Sequence, residues 1–440
     1  MILIYSEEIT PRLEYIAKLI FTHILKVEIS FTTNSSEFIK SDSPKLNYSD
    51  KKLNNEFYIK PHPLLFSKEL INQDIDLGLF GGEEYFFESS KNSMLTFDPF
   101  AASFYVVTRY EEYLETDRDK FNRYPVEKSI LFKNNLQKKP VVNIWANLLA
   151  EKLHEKYPQL VFRERKFDFL STIDIDNSWA YLHKGFLRSS GALFKVLTKG
   201  NFTEVKNRIN VLLGSTKDPY DTYDFLNSVF KGNEKNVYFF FLLGDYSRFD
   251  KNVSYKNRHF RKLIQKIKEK YAVGIHPSFL SDKKKESKNL KFEIQRLKEI
   301  TGSKVKKSRQ HFLQLSFPET YRRLIKAGID EDFTMGYPSQ TGFRAGICTP
   351  FYFYDLEKET TTNLKIVPFQ VMDVTLRDYM KLTPEQATNE IERLMTEVKN
   401  VGGTFVSIWH NETVSNLGSW KGFREVFEKM NKRGFELANE

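Results

Sequence analysis

Seven short apolar runs in this chain each lead into a polar or charged residue. Residues 167–173 lead to Asp174, with Asp176 two further on. Residues 237–243 lead to Gly244-Asp245, 272–275 to His276, and 305–308 to Arg309. Residues 333–335 lead to Gly336-Tyr337, 366–372 to Asp373, and 404–409 to His410. Two carboxylates two apart at a strand end can divide the work: one binds a cation and the other takes a proton. An Asp-rich turn that caps the next helix is the plainer reading of the same pair. His276 precedes Pro277, which gives it a defined direction, and neutral imidazole is the commonest metal ligand. A lone histidine also occurs as an ordinary hydrogen-bonded residue. In Ser308-Arg309-Gln310-His311-Phe312, Arg309 could hold a carboxylate and His311 could ligate or titrate; Arg309 could equally be one more surface charge beside Lys304, Lys306 and Lys307. Arg344, between small residues in Gly342-Phe343-Arg344-Ala345-Gly346, could approach a substrate closely or sit exposed on a turn. His410, beside Trp409, suits a general acid because imidazole titrates near working pH; a structural histidine next to a packed tryptophan is the alternative.

Other chemistries find no support. No G-x-S-x-G elbow and no phosphate-cradling G-x-x-x-x-G-K-[ST] or strand–G-x-G-x-x-G–helix pattern occurs. His23, His62, His154, His183 and His259 lie in helical or loop segments without partners and read as surface residues. The single cysteine, Cys348, excludes an intrachain disulfide framework, a thiolate zinc cluster and an iron–sulfur site. It reads as a packing residue, so only carboxylates and histidines remain to hold a metal.

These residues need a scaffold. With 440 residues the chain has room for two or three domains. A hydrophobic content of 40% with 28% charged residues describes a folded globular chain. The net charge of +10 favours anionic partners but is mild for this length and reads first as lysine-rich solvated faces. The lysine-rich stretch 281–307 is the best feature of a nucleic-acid or anionic-glycan binder, yet it lacks aromatics at stacking spacing, and no nucleic-acid partner is expected. The 39 Phe and 22 Tyr read as core, with sugar-stacking surfaces as the alternative. The N-terminus carries Glu7, Glu8 and Arg12 where a signal peptide needs its apolar centre, and the longest apolar run, 237–243, is far short of the ~20 residues of a spanning helix. A cytoplasmic protein without transmembrane segment is expected.

Along the chain, residues 1–5 and 27–32 read as strands. Thr10 and Pro11 open a helix with Leu13, Ile16, Ala17, Ile20 and Ile24 on one face. Residues 41–56 read as a polar loop, 98–153 as helical, and 154–166 as a boundary. Later, Ser316 and Glu319 suggest a capping box. Thr383, Pro384 and Gln386 open a helix with Ile391, Leu394, Met395, Val398 and Val401 on one face, ended by Gly402. Strand–helix alternation implies a parallel sheet or barrel. In a barrel, residues at the C-terminal ends of strands converge on one mouth.

Taken in order, the phrases STIDIDNSWAY, GIHPS, SRQHFL, FRAG, VMDVTLRDY and FVSIWHNE resemble the polysaccharide deacetylase superfamily, of the NodB-homology or carbohydrate esterase family 4 type, over residues 167–440. The N-terminal third resembles a companion domain of unknown function found with such proteins. The resemblance implies an α/β fold: a distorted (β/α)7 barrel, residues 166–440, preceded by a smaller α/β domain, residues 1–165. It implies metal-dependent removal of an acetyl group, N-acetyl first, from a sugar of a cell-envelope or exported polysaccharide or its precursor. Asp174 falls at the family's catalytic base, and Arg309 at the arginine that orients the base. His410 falls at the C-terminal histidine that acts as general acid. Ile175 stands where the family has a metal-binding aspartate, so Asp176 takes that role. His276 matches one half of the His-rich metal motif. The histidine expected four residues upstream is Ala272, and His311 is the replacement. The implied cofactor is a divalent metal, zinc by preference, held by Asp176, His276 and His311. Arg344, Trp409 and Asp373 are the expected substrate-binding residues. The competing expectation is a catalytically inactive barrel that binds a glycan or a partner.

Overall fold

In the computed structural model, which describes residues 1–163, 165–282 and 287–440, two parallel sheets are built in chain order. Residue 164, inside the expected boundary 154–166, and residues 283–286 of the lysine-rich stretch lie outside the described residues. The described part of that stretch is chiefly the helix Ser287–Thr301, which buries Leu290, Leu297 and Ile300.

The first sheet has the order β2-β1-β3-β4, all parallel: β1 (Ile2–Tyr5), β2 (Ile29–Thr32), β3 (Lys45–Tyr48) and β4 (Phe57–Ile59). β1 is an unbroken apolar run, as expected of a strand covered on both faces. The expected helix starts at Pro11 with Thr10 accepting from the Leu13 amide. β3 falls inside the stretch that reads as loop. Its Asn47 is polar but not orphaned, since its amide donates to Glu56 at 2.7 Å and to the Lys51 carbonyl at 2.8 Å. A hairpin, β5 (Gly78–Phe80) and β6 (Glu83–Tyr85), follows, and then the helices Pro99–Val107 and Val141–Lys156.

The second sheet comprises β7 (Asp168–Ile175), β8 (Val237–Leu242), β9 (Ala272–His276), β10 (Lys307–Ser308), β11 (Glu331–Asp332), β12 (Phe351–Asp355), β13 (Thr360–Ile366), β14 (Val371–Met372) and β15 (Thr404–His410). Its order is β12-β13-β11-β10-β9-β8-β7-β15-β14. Every neighbouring pair is parallel except the β12–β13 hairpin.

The expected α/β class with a parallel sheet is met, but the expected distorted (β/α)7 barrel is not. Among the described residues the sheet has nine strands and stays open, with β12 and β14 at its edges. The hairpin adds strands the alternation did not suggest. The run 333–335 is not itself a strand, because pairing stops at Asp332. The run 366–372 splits between β13 and β14.

Local capping shows a similar mixture. Thr383, Pro384 and Gln386 open the expected helix, where Thr383 and Gln386 also form a reciprocal capping box. Ser316 and Glu319 do not: the helix Glu319–Lys326 starts after Pro318, and Ser316 instead donates its amide to Thr320 Oγ1 at 3.1 Å. Most buried apolar side chains of both sheets and their helices merge into one core, beside smaller clusters around Phe240 and Val406 and around Leu3 and Tyr5. Polar ties cross it as well, with Arg12 held by Glu359 and Asn143 by Thr349.

Candidate metal centre and active site

The register places the site at the carboxyl ends of the central strands, where open parallel sheets gather ligands. His410, the last residue of β15, pairs with Asp174 of β7, and His276 ends β9. Arg309 follows β10, and its amide bonds back to Ile275.

Asp176, His276 and His311 bring one oxygen and two nitrogens within 4.8 Å of one another. His276 Nε2 lies 3.2 Å from Asp176 Oδ1, and His311 Nε2 lies 3.3 Å from Asp176 Oδ2. The tautomers are set from behind. His276 Nδ1 lies 2.6 Å from the Arg309 carbonyl, and His311 Nδ1 lies 2.9 Å from Asp250 Oδ1. A carbonyl and a carboxylate only accept, so each Nδ1 carries a proton, and each Nε2, the atom left to ligate, faces Asp176. Asp176 Oδ1 is buried and has no hydrogen-bond partner. An orphaned carboxylate oxygen beside two acceptor nitrogens is a donor set that fits zinc. Burial alone would raise Asp176, but His311 and His276 hold it well below the usual carboxylate range. Burial alone would lower His311, yet with no ion beside it Asp176 and Asp250 favour a proton on its Nε2 and push it up to about 9; a bound ion would take the place of that proton.

Position 272, where the resemblance expects a further histidine, corrects that expectation. Ala272 begins β9, and four strand residues separate it from His276 by ~13 Å. No side chain there reaches the same ion.

Asp174 is gripped from one side. Arg309 Nη1 donates to Asp174 Oδ1 at 2.8 Å and to Thr172 Oγ1 at 2.7 Å, while its Nε donates to the Phe333 carbonyl at 3.0 Å. Its guanidinium lies 4.6 Å from the centre of the Phe240 ring. Asp174 Oδ2 remains clear of the arginine, 3.9 Å from His276 Nε2. Arg309 is fully buried, so the reading of a surface charge among lysines is set aside.

His410 Nδ1 lies 2.9 and 3.1 Å from the two oxygens of Asp373, which also accepts the His410 amide at 2.8 Å and Thr413 Oγ1 at 2.5 Å. Its Nε2 therefore faces the site, 3.7 Å from Asp176 Oδ2. Burial lowers His410, but Asp373, then Asp176 and Asp174, outweigh it and raise the imidazole well above its ordinary value. Asp174, Asp176, His276, His311 and His410 line a cavity of about 150 Å³.

The three expected substrate-binding residues do not reach this cavity. Asp373 is sealed behind His410 and positions it. Trp409 is fully buried and packs edge-on against Phe427, because alternation along β15 turns it to the opposite face from His410. Arg344 is buried in an ion network, donating to both oxygens of Glu112 at 2.9 and 2.6 Å. The small residues beside it serve packing: a Cβ at Gly342 would strike the Gln137 carbonyl, and one at Gly346 would strike Val106.

Residues the sequence reading missed complete the wall. Arg123, Tyr379, Met372, Val374, Gln310, Phe312 and Leu313 line it, with Arg123 Nη2 bonding to Tyr379 Oη at 3.1 Å. Asp250, behind His311, was also unmarked; it lies in a polar loop with no periodicity to flag it.

Comparison with known families and structures adds a limited frame. The matching family model is "Family of unknown function (DUF7033)", over residues 2–158. No curated protein matches the chain. Among solved structures, a candidate polysaccharide deacetylase from Mycobacterium smegmatis is similar at 14% identity and a TM-score of 0.40, covering 62% of this chain and 86% of that one. BA3943 from Bacillus anthracis, a CE4 family pseudoenzyme, is similar at 12% identity and a TM-score of 0.31; the match covers 62% of this chain and 63% of that one. The polysaccharide deacetylase Bc1974 from Bacillus cereus is similar at 12% identity and a TM-score of 0.30, covering 62% and 89%. At such scores the function has to be read from the side chains themselves.

Proposed function

We propose that the chain is a metal-dependent hydrolase that removes an acetyl group, N-acetyl first, from a sugar of a cell-envelope or exported polysaccharide or its precursor. The observation that carries this reading is the pair of imidazole Nε2 atoms turned toward the two oxygens of Asp176 by the Arg309 carbonyl and the Asp250 carboxylate. The ordered resemblance of residues 167–440 to sugar deacetylases supports the substrate class. We further propose that residues 1–165 form a companion region to the catalytic region 166–440.

Asp176, His276 and His311 would hold the ion. When bound, a zinc ion there supplies a Lewis acid for the acetyl carbonyl and lowers the pKa of water. Asp174 takes the proton of the attacking water on Oδ2, since Arg309 occupies Oδ1. Arg309 keeps that carboxylate aimed. His410 gives a proton from Nε2 to the departing amine, and Asp373 holds its other nitrogen. The cavity of about 150 Å³ admits the reacting end of a substrate and leaves a longer glycan outside.

The test compares wild type with Asp176→Ala for bound zinc and for acetate release from N-acetylated oligosaccharides. Stoichiometric zinc and acetate release, both lost in the variant, support the reading. Wild-type protein that binds no metal and releases no acetate from any acetyl-sugar overturns it.

A further inference from the structure

Between β7 and β8 the chain forms a helical hairpin, Phe186–Thr198 and Phe202–Leu212, that the proposed chemistry leaves unused. The two helices carry large apolar residues on their outer faces at helical spacing. On the first these are Phe186, Phe194 and Leu197; on the second, Phe202, Ile209 and Leu213 just past its end. Phe186 is 86% exposed, Phe202 72% and Leu213 75%, values a side chain in any core would not show. Exposed apolar clusters of this kind mark contact surfaces.

The charge of the hairpin selects the partner. From Lys184 to Lys217 there are seven Lys and Arg and one acid, Glu204. That acid is engaged by Tyr181 at 2.9 Å and by Arg208 at 3.5 Å. Lys195, Lys199 and Lys206 remain on the exposed side, among the apolar residues. Lysine is depleted from protein–protein interfaces. Lysine interleaved with exposed Phe and Leu on an amphipathic helix is the composition of a segment that lies in the headgroup layer of an anionic bilayer. No described helix is long and apolar enough to cross a membrane, so the contact would be with one leaflet.

We propose that this hairpin docks the protein on an anionic lipid surface, its apolar residues entering the interface and Lys195, Lys199 and Lys206 meeting the phosphate headgroups. The proposal stands apart from the hydrolase reading, since it rests on no residue of the metal centre. The hairpin lies on the connection from β7 to β8, which begins just past Asp174 at the end of β7.

The test is sedimentation of the full chain with phosphatidylcholine vesicles containing or lacking phosphatidylglycerol. Expected is binding to the phosphatidylglycerol vesicles that weakens in high salt. Binding should fall about tenfold or more both in Phe194→Ser/Phe202→Ser/Leu213→Ser and in Lys195→Glu/Lys199→Glu. These positions are exposed, so the variants keep the fold, which circular dichroism confirms. Equal sedimentation of wild type and the serine variant overturns the proposal, as does equal binding to both vesicle types. Absent vesicle binding, with a dimer by light scattering that the serine variant dissociates, assigns the face to a second copy and overturns it too.

Discussion

His311 donates its Nδ1 proton to Asp250 at 2.9 Å, and its Nε2 thereby faces Asp176. The donor is in a loop after β10 and the acceptor in a loop after β8, so the ligand depends on two segments packing correctly. Asp250 is itself fixed by the Phe279 amide at 2.9 Å and by Ser247 Oγ at 2.7 Å. Replacing Asp250 with Asn keeps the shape but removes the charge and lets the imidazole choose the wrong tautomer. Zinc affinity, measured by competition with a chromophoric chelator, should fall by about 10–100-fold. An unchanged affinity would remove His311 from the ligand set.

The His410–Asp373 pair makes a pH prediction with a definite sign. Asp373 raises His410, so the imidazolium persists to higher pH and can act as a general acid there. In Asp373→Asn that support is lost and the pKa of His410 falls. The alkaline limb of the kcat profile should move to lower pH, while the zinc content stays constant. A profile that merely drops in height, with its limbs in place, would mean that Asp373 only packs.

Much of this site can be seen in the sequence, for a physical reason. Asp174, His276 and His410 each terminate an apolar run, and a polar residue at the end of a buried strand has few places to go except a shared mouth. Asp250 and Arg123 leave no such trace, because they lie in loops and meet the site only through the packing of distant segments. The two-residue strands β10, β11 and β14 are too short to print a period, and so the count and closure of the sheet were not legible. Trp409 and Asp373 stand next to site residues in the chain, which suggests substrate contact. Their actual surroundings escape the sequence because alternation along β15 and the burial of a carboxylate behind its partner are set by the third dimension.

Arg344 gives a prediction that separates structure from substrate binding. It shares Glu112 with Arg109, whose Nε donates to that carboxylate at 2.8 Å; both arginines and the glutamate are about 1% exposed. The arginines hold the Glu112 carboxyl below its usual range against the opposing effect of burial. Truncating one partner of a buried ion network leaves charge uncompensated and costs about 3–5 kcal/mol. Arg344→Ala should therefore unfold at clearly lower urea concentration, yet the folded fraction should keep the wild-type KM. A raised KM with unchanged stability would restore Arg344 to the substrate.

Asp98 offers a stability test far from the metal centre. It caps the helix Pro99–Val107 through the Phe100 and Ala101 amides and accepts the Tyr48 hydroxyl at 2.5 Å and the His62 amide at 2.8 Å. Burial pushes its carboxyl up to about 6, although these hydrogen bonds pull it back. A carboxyl whose folded pKa lies above its unfolded value of about 3.9 binds its proton more tightly when folded. Its contribution is complete below the unfolded value and is lost as pH rises through about 6. Asn cannot titrate, so Asp98→Asn lacks this loss while it forfeits some of the four hydrogen bonds. The stability gap between wild type and variant should be widest near pH 4 and should narrow toward pH 7, read as urea midpoints at the two pH values. A gap that widens with pH would show that Asp98 is held as the anion.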